Sequence, residues 1–141
     1  MDIGQIEGAF VQGLGYYLTE HVLYDDQGRL ITNGTWEYKP PGVRDIPLKF
    51  DVTLIPPPPP LAGKKEEGEK EGLVLSSKAT GEPPYMLASS AYFGLIKAIR
   101  EGRQGWREGG KEEEEIGLAI PATIEERVKA VDVPVEAFVL T

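Results

Sequence analysis

Residues 77–100 read "SKATGEPPYMLASSAYFGLIKAIR", and the change of character within this stretch decides the fold. The first part is small, polar and broken by prolines. The second repeats apolar side chains at helical spacing: Leu87, Ala91, Leu95 and Ala98 share one side, and Tyr92, Ile96 and Ile99 widen the stripe. The pattern predicts a helix over residues 86–100, with Pro84 at its first position, where a missing N–H is harmless. Upstream, "LVLSS" at 73–77 reads as a short apolar strand. Glu82 then sits on a corner between strand and helix. Gly81 permits unusual backbone angles, and Pro83 pushes Glu82 out of the helical region. A carboxylate pinned and partly buried there would have a raised pKa and could serve as a general base. The competing reading is an ordinary turn whose carboxylate faces the dipole of the next helix.

Working outward, residues 3–23 read as another helix. Phe10, Leu14, Tyr17 and Leu18 form its apolar stripe. Gly4, Gly8, Gly13 and Gly15 are unusual in a helix, where each costs about 1 kcal/mol against Ala. They imply either close packing against other backbone or close approach of a ligand. Asp25–Gly28 is a hairpin signal, which explains Asp25 and Asp26 better than a metal pair does. Leu48, Phe50, Val52 and Leu54 alternate as in a half-buried strand. The prolines 56–60 and the Lys/Glu/Gly run behind them read as a surface loop, although a proline tract is also a possible docking motif. Gly102, Gly105, Gly109 and Gly110 are expected to end the helix that began near Met86 and to open an acidic loop. Thr123 and Glu126 make a capping box for a last short helix, stopped by Pro134, and 135–140 is a weak strand. Mixed helices and strands without regular alternation give the α+β class.

Composition narrows the function. The net charge is −8, and the runs at 64–71 and 111–115 carry half of it. Such an acidic chain is a poor partner for nucleic acid. No apolar run approaches the length of a membrane span, and no secretory leader is visible, so a cytoplasmic address is the default. The absence of cysteine excludes disulfides, zinc ribbons and iron–sulfur ligation by this sequence. His21 is the only histidine and reads as a surface residue, so no metal-ligating set of protein side chains is expected. Neither "GQIEG" nor "GLG" is a dinucleotide fingerprint, and there is no P-loop.

Four blocks carry a resemblance: "DIGQIEGAFVQGLGYYLTE", "GTWEYKPPGVRDIPLKFDVTLI", "SKATGEPPYMLASSAYFGLIKAIR" and "IPATIEERV". Together they resemble the C-terminal part of the molybdopterin-binding subunit of the xanthine dehydrogenase/aldehyde oxidase family. The pairing of G-Q-x-E-G-A-F-x-Q-G-L-G with S-K-A-x-G-E-P-P is specific, and the low-complexity stretches fall between the blocks. The resemblance implies a molybdenum–pterin cofactor and hydroxylation of purine, aza-aromatic or aldehyde substrates with water as the oxygen source. It places the general base on Glu82 and a cofactor-binding amide on Gln5. Lys78 is a lesser candidate for a cofactor contact.

The family's subunit is much longer than this chain. The expectation is therefore a single partial molybdopterin-binding domain over 1–141, with loop insertions at about 56–72 and 102–115, inactive when isolated. Iron–sulfur clusters and FAD would belong to partner segments. Those segments, a small-molecule substrate and a second copy of the chain are the expected partners. The alternative is a non-catalytic interaction module that works through the proline tract.

Overall fold

The computed structural model describes residues 2–55, 79–106 and 116–133. It contains four helices: α1 (Asp2–Leu18), α2 (Glu82–Leu87), α3 (Ser89–Trp106) and α4 (Ile124–Val131), with a 3₁₀ turn at Val43–Asp45. Among the described residues there is no paired strand beyond one isolated antiparallel bridge, Tyr24 to Leu30. The strand character expected of an α+β fold is thus present only as that bridge. Residues 48–54 run irregularly because no neighbouring strand among the described residues takes up their backbone groups; Leu48 is fully exposed, while Phe50 is held by Phe10, ring centroids 5.4 Å apart. The stretches 73–77 and 135–140, the proline tract and Lys78 lie outside the described residues.

Helix α1 stops short of the expected residue 23, and its hydrogen bonds say why. The Gly15 carbonyl accepts from both Thr19 N (2.9 Å) and Glu20 N (2.8 Å). The next carbonyls are taken by distant chain: Ala122 N donates to Tyr17 O at 2.8 Å, and the Arg127 guanidinium to Leu18 O at 3.2 Å. Arg127 Nε also donates to Ala122 O at 2.6 Å. A cation is thereby fixed where the helix presents unsatisfied carbonyls and the negative end of its dipole. Arg103 serves α4 in the same way, its Nε donating to Ala130 O at 2.6 Å. That tie, and α3–α4 packing generally, explain why α3 runs on past Gly102 and Gly105 where a loop is expected. Substituting Arg127→Met keeps the apolar stem but strips two carbonyls of their donor. A loss of about 1.5–3 kcal/mol is expected, read as a lower urea midpoint at an unchanged m-value.

The hairpin reading of Asp25–Gly28 holds. Asp25 Oδ1 accepts from Gln27 N and Arg29 N, each at 2.9 Å, and Arg29 Nε donates to Oδ2 at 2.7 Å. The Arg29 backbone N–H, then its guanidinium, hold the Asp25 carboxyl below its ordinary value. Gly28 takes φ +75°, which L side chains rarely adopt. Half of the predicted capping box of α4 is present, Glu126 N donating to Thr123 Oγ1 at 3.4 Å; the return bond is replaced, Thr123 N donating to Pro121 O at 2.9 Å and the Glu126 carboxylate accepting from Lys129.

The predicted helix over 86–100 is two helices. α2 begins at Glu82 and breaks from α3 at Ala88. Glu82 is the first helical residue, with Gly81 as N-cap (φ −91°, ψ −30°) and the two prolines following it. The expected exclusion of Glu82 from the helical region does not occur. In the first turn of a helix the N–H groups have no carbonyl to reach, so two prolines fit there.

The core is thin. It gathers Tyr17, Ala88, Tyr92, Ile99, Ile116, Leu118, Ala122 and Ala130, with Phe10, Leu14, Leu18 and Leu95 packed against it. Only Ala88 and Ala122 among these are fully shielded. Tyr92 stays buried because its hydroxyl donates to Leu118 O at 2.5 Å. Trp36, Val43 and Ile55 stand almost fully exposed. No helix among the described residues is long and apolar enough to cross a membrane.

Candidate functional site

Two close approaches set the geometry between α1 and α2. A Cβ at Gly81 would lie 3.4 Å from Ala9 Cβ. A Cβ at Gly13 would lie 2.5 Å from Ala88 Cβ and closer still to the Tyr85 carbonyl oxygen. The order of these contacts has both helices running in the same sense, pressed together at Gly13. Beside this contact lies a cleft of about 590 Å³. From α1 it is lined by Gly4, Gln5, Gly8, Ala9 and Gln12; Gly81, Glu82, Tyr85 and Met86 form the other wall.

The structure therefore brings Gln5 and Glu82 to one cleft. Both side chains are exposed, and neither makes a hydrogen bond or ion pair among the described residues; the same is true of Gln12. The partial burial expected of Glu82 is not supplied by the described residues. Lys78 falls outside them. No cluster of three or more potential metal ligands occurs among the described residues. The groups present are an acceptor carboxylate and two amides, each amide able to donate and accept at once.

The four α1 glycines divide by role. Gly13 and Gly15 are sites of close packing, Gly15 against Pro41 and Glu20. Gly4 and Gly8 face open space, with nothing within 4 Å of a would-be Cβ. Packing gives no reason for glycine at those two positions, whereas a ligand approaching the helix backbone does. Gly8→Ala is therefore expected to stabilise the chain by up to about 1 kcal/mol through helix propensity. A thermal melt checks the sign.

Tyr85 supplies the aromatic wall. Burial first, and then the Glu20 carboxylate, push its phenol pKa above the ordinary value, so it remains a neutral surface of the cleft. Glu20 itself accepts a hydrogen bond from the Tyr38 hydroxyl. A second cleft, about 600 Å³, lies at the other end of α1 and includes His21, Lys39, Asp45 and Arg127. Three of its charged groups are already engaged. Arg127 serves the α1 carbonyls, Lys39 donates to Thr35 O at 2.8 Å, and Asp45 accepts from Gly42 N at 2.7 Å. The first cleft holds unpartnered polar groups from two separate helices and is the candidate site.

Gln12, Tyr85 and Met86 escape a reading of the sequence. The apolar stripe of α1 draws attention to Phe10 and Leu14, away from the face that carries Gln12. A signal was present: Gln12 follows Gln5 by two helical turns and so shares its face.

Residues 1–47 match the family model described as molybdopterin cofactor-binding domain. The chain is 41% identical over 128 residues to an indole-3-acetaldehyde oxidase of Arabidopsis thaliana, a match covering 88% of this chain and 9% of that protein. It is 40% identical over 129 residues to the abscisic-aldehyde oxidase of the same plant, covering 88% and 9%. Against an indole-3-acetaldehyde oxidase of Zea mays it is 43% identical over 104 residues, covering 74% and 7%. The chain thus spans less than a tenth of the length of these curated relatives. The motif that supplies Gln5 lies inside the matched domain, and the similarity extends over most of the chain. The chain belongs to the xanthine dehydrogenase/aldehyde oxidase family and carries a stretch of its molybdopterin-binding part.

Proposed function

We propose that this chain forms one wall of the active site of a molybdenum hydroxylase acting on aldehyde or aza-aromatic substrates, with Glu82 as general base and Gln5 as a cofactor-binding amide. One observation carries the reading: Gln5 and Glu82, from helices far apart in the sequence, line a single cleft and have no hydrogen-bond or ion-pair partner among the described residues. The cleft also fits the group. The open space over Gly4 and Gly8 lets a flat ring approach the helix backbone, and Tyr85 offers a face to stack on. When bound, the molybdenum–pterin group supplies an activated water and accepts two electrons from the substrate.

The chain's own residues hold and orient. Gln5 would donate to and accept from the pterin edge. Glu82 would take a proton at its carboxylate, from water at the reacting centre. Its position is restricted by Gly81 behind it and the rigid Pro83–Pro84 pair ahead, which suits a base that must meet a fixed partner. Further polypeptide would close the cleft, exclude water and grip the substrate. Lys78, just before the motif, is proposed as a supporting cofactor contact. Iron–sulfur clusters and FAD, where electrons would leave, are assigned to polypeptide beyond this chain.

The test is the enzyme assembled from this chain and its complementary polypeptide. Gln5→Ala should reduce pterin and molybdenum content. Glu82→Gln should leave that content intact and remove turnover. Normal cofactor content in Gln5→Ala would refute the amide's role.

A further inference from the structure

We propose that Gln12 is a second ligand contact, and that Gln5 and Gln12 grip the two ends of one flat, elongated heteroaromatic group. This rests on the pterin reading of the cleft and deepens it. The two amides are seven residues apart on α1, two helical turns, or about 10.5 Å along the axis. A heptad step drifts only about 20° around a helix, so both side chains belong to the cleft face. Between them lie Gly8, with open space above it, and the short side chain of Ala9. The floor of the cleft is therefore flat for two turns and carries an amide at each end.

The opposite wall offers the ring of Tyr85 and the thioether of Met86, both suited to the face of a π system. Neither amide is engaged among the described residues. A single small ring reaches one amide at a time. A fused bicyclic ring bearing a polar chain spans both.

The four glutamines, Gln5, Gln12, Gln27 and Gln104, provide an internal control, because only the first two line the cleft. The ¹⁵N-labelled full chain is titrated with neopterin, a pterin with a three-carbon polyol chain, while the side-chain amide resonances are followed by NMR. The resonances of Gln5 and Gln12 should move on one binding curve, and those of Gln27 and Gln104 should stay. Gln12→Ala should raise the neopterin Kd about 2–10-fold without changing the melting temperature. Movement of Gln5 alone, with Kd unchanged in Gln12→Ala, overturns the two-ended grip and leaves the pterin reading standing. Movement of Gln12 alone ends the grip and displaces Gln5. If neither amide moves at any soluble neopterin concentration, the inference and the pterin reading of this cleft fall together.

Discussion

Replacing Glu82 with Gln in the assembled enzyme is expected to lower kcat about 10²–10⁴-fold, the range associated with loss of a positioned general base. The substitution keeps the size of the side chain, its place at the start of α2 and its ability to hydrogen-bond. It removes the negative charge and with it the capacity to take a proton. Because Glu82 makes no hydrogen bond or ion pair among the described residues, its loss leaves none of them stranded, and stability should change little. Molybdenum and pterin content should match the unsubstituted enzyme. Turnover within a few-fold of normal would remove Glu82 from the role of base. A parallel fall in cofactor content would make it a binding contact instead.

Gly13→Ala is expected to destabilise the chain, against the usual helical preference for alanine. The new methyl would sit 2.5 Å from Ala88 Cβ and closer to the Tyr85 carbonyl oxygen. Neither neighbour can yield, since one is backbone and the other is fully shielded. Moving α1 off α2 costs about 1–3 kcal/mol, as for other overpacked cores. The gain in helix propensity, up to about 1 kcal/mol, does not offset it. The melting temperature should fall by several degrees, whereas Gly4→Ala, with open space at the same type of position, should raise it. Because Gly13 sets the approach of the two helices that form the cleft, Gly13→Ala should also weaken cofactor retention with Gln5 and Glu82 untouched. An unchanged or higher melting temperature would refute the packing.

Local chemistry was legible in the sequence where short-range interactions decide it. The Thr123 cap, the Asp25–Gly28 turn and the helical stripe of α1 each depend on residues within a few positions of one another. The family likeness was legible too, because its motifs are contiguous. The extent of the elements was not. α1 ends at Leu18 because Ala122 and Arg127 take its last carbonyls, and α3 passes Gly102 because Arg103 reaches Ala130. Residues 48–54 have the alternation of a strand and, among the described residues, no paired strand beside them. A β ladder is made by two segments, so one segment's pattern cannot secure it.

The same division runs through the site. By itself the sequence determined which side chains are candidates for the proposed chemistry, a carboxylate in a Gly/Pro frame and an amide in a glycine-rich helix, because residue type sets acid–base and hydrogen-bonding capacity. Only the tertiary structure decided that Gln5 and Glu82 line one cleft, that Gln12 joins them, and which glycines face open space and which face a neighbouring helix. Those outcomes depend on how closely α1 and α2 approach at Gly13, a through-space distance that no local spacing of residues encodes.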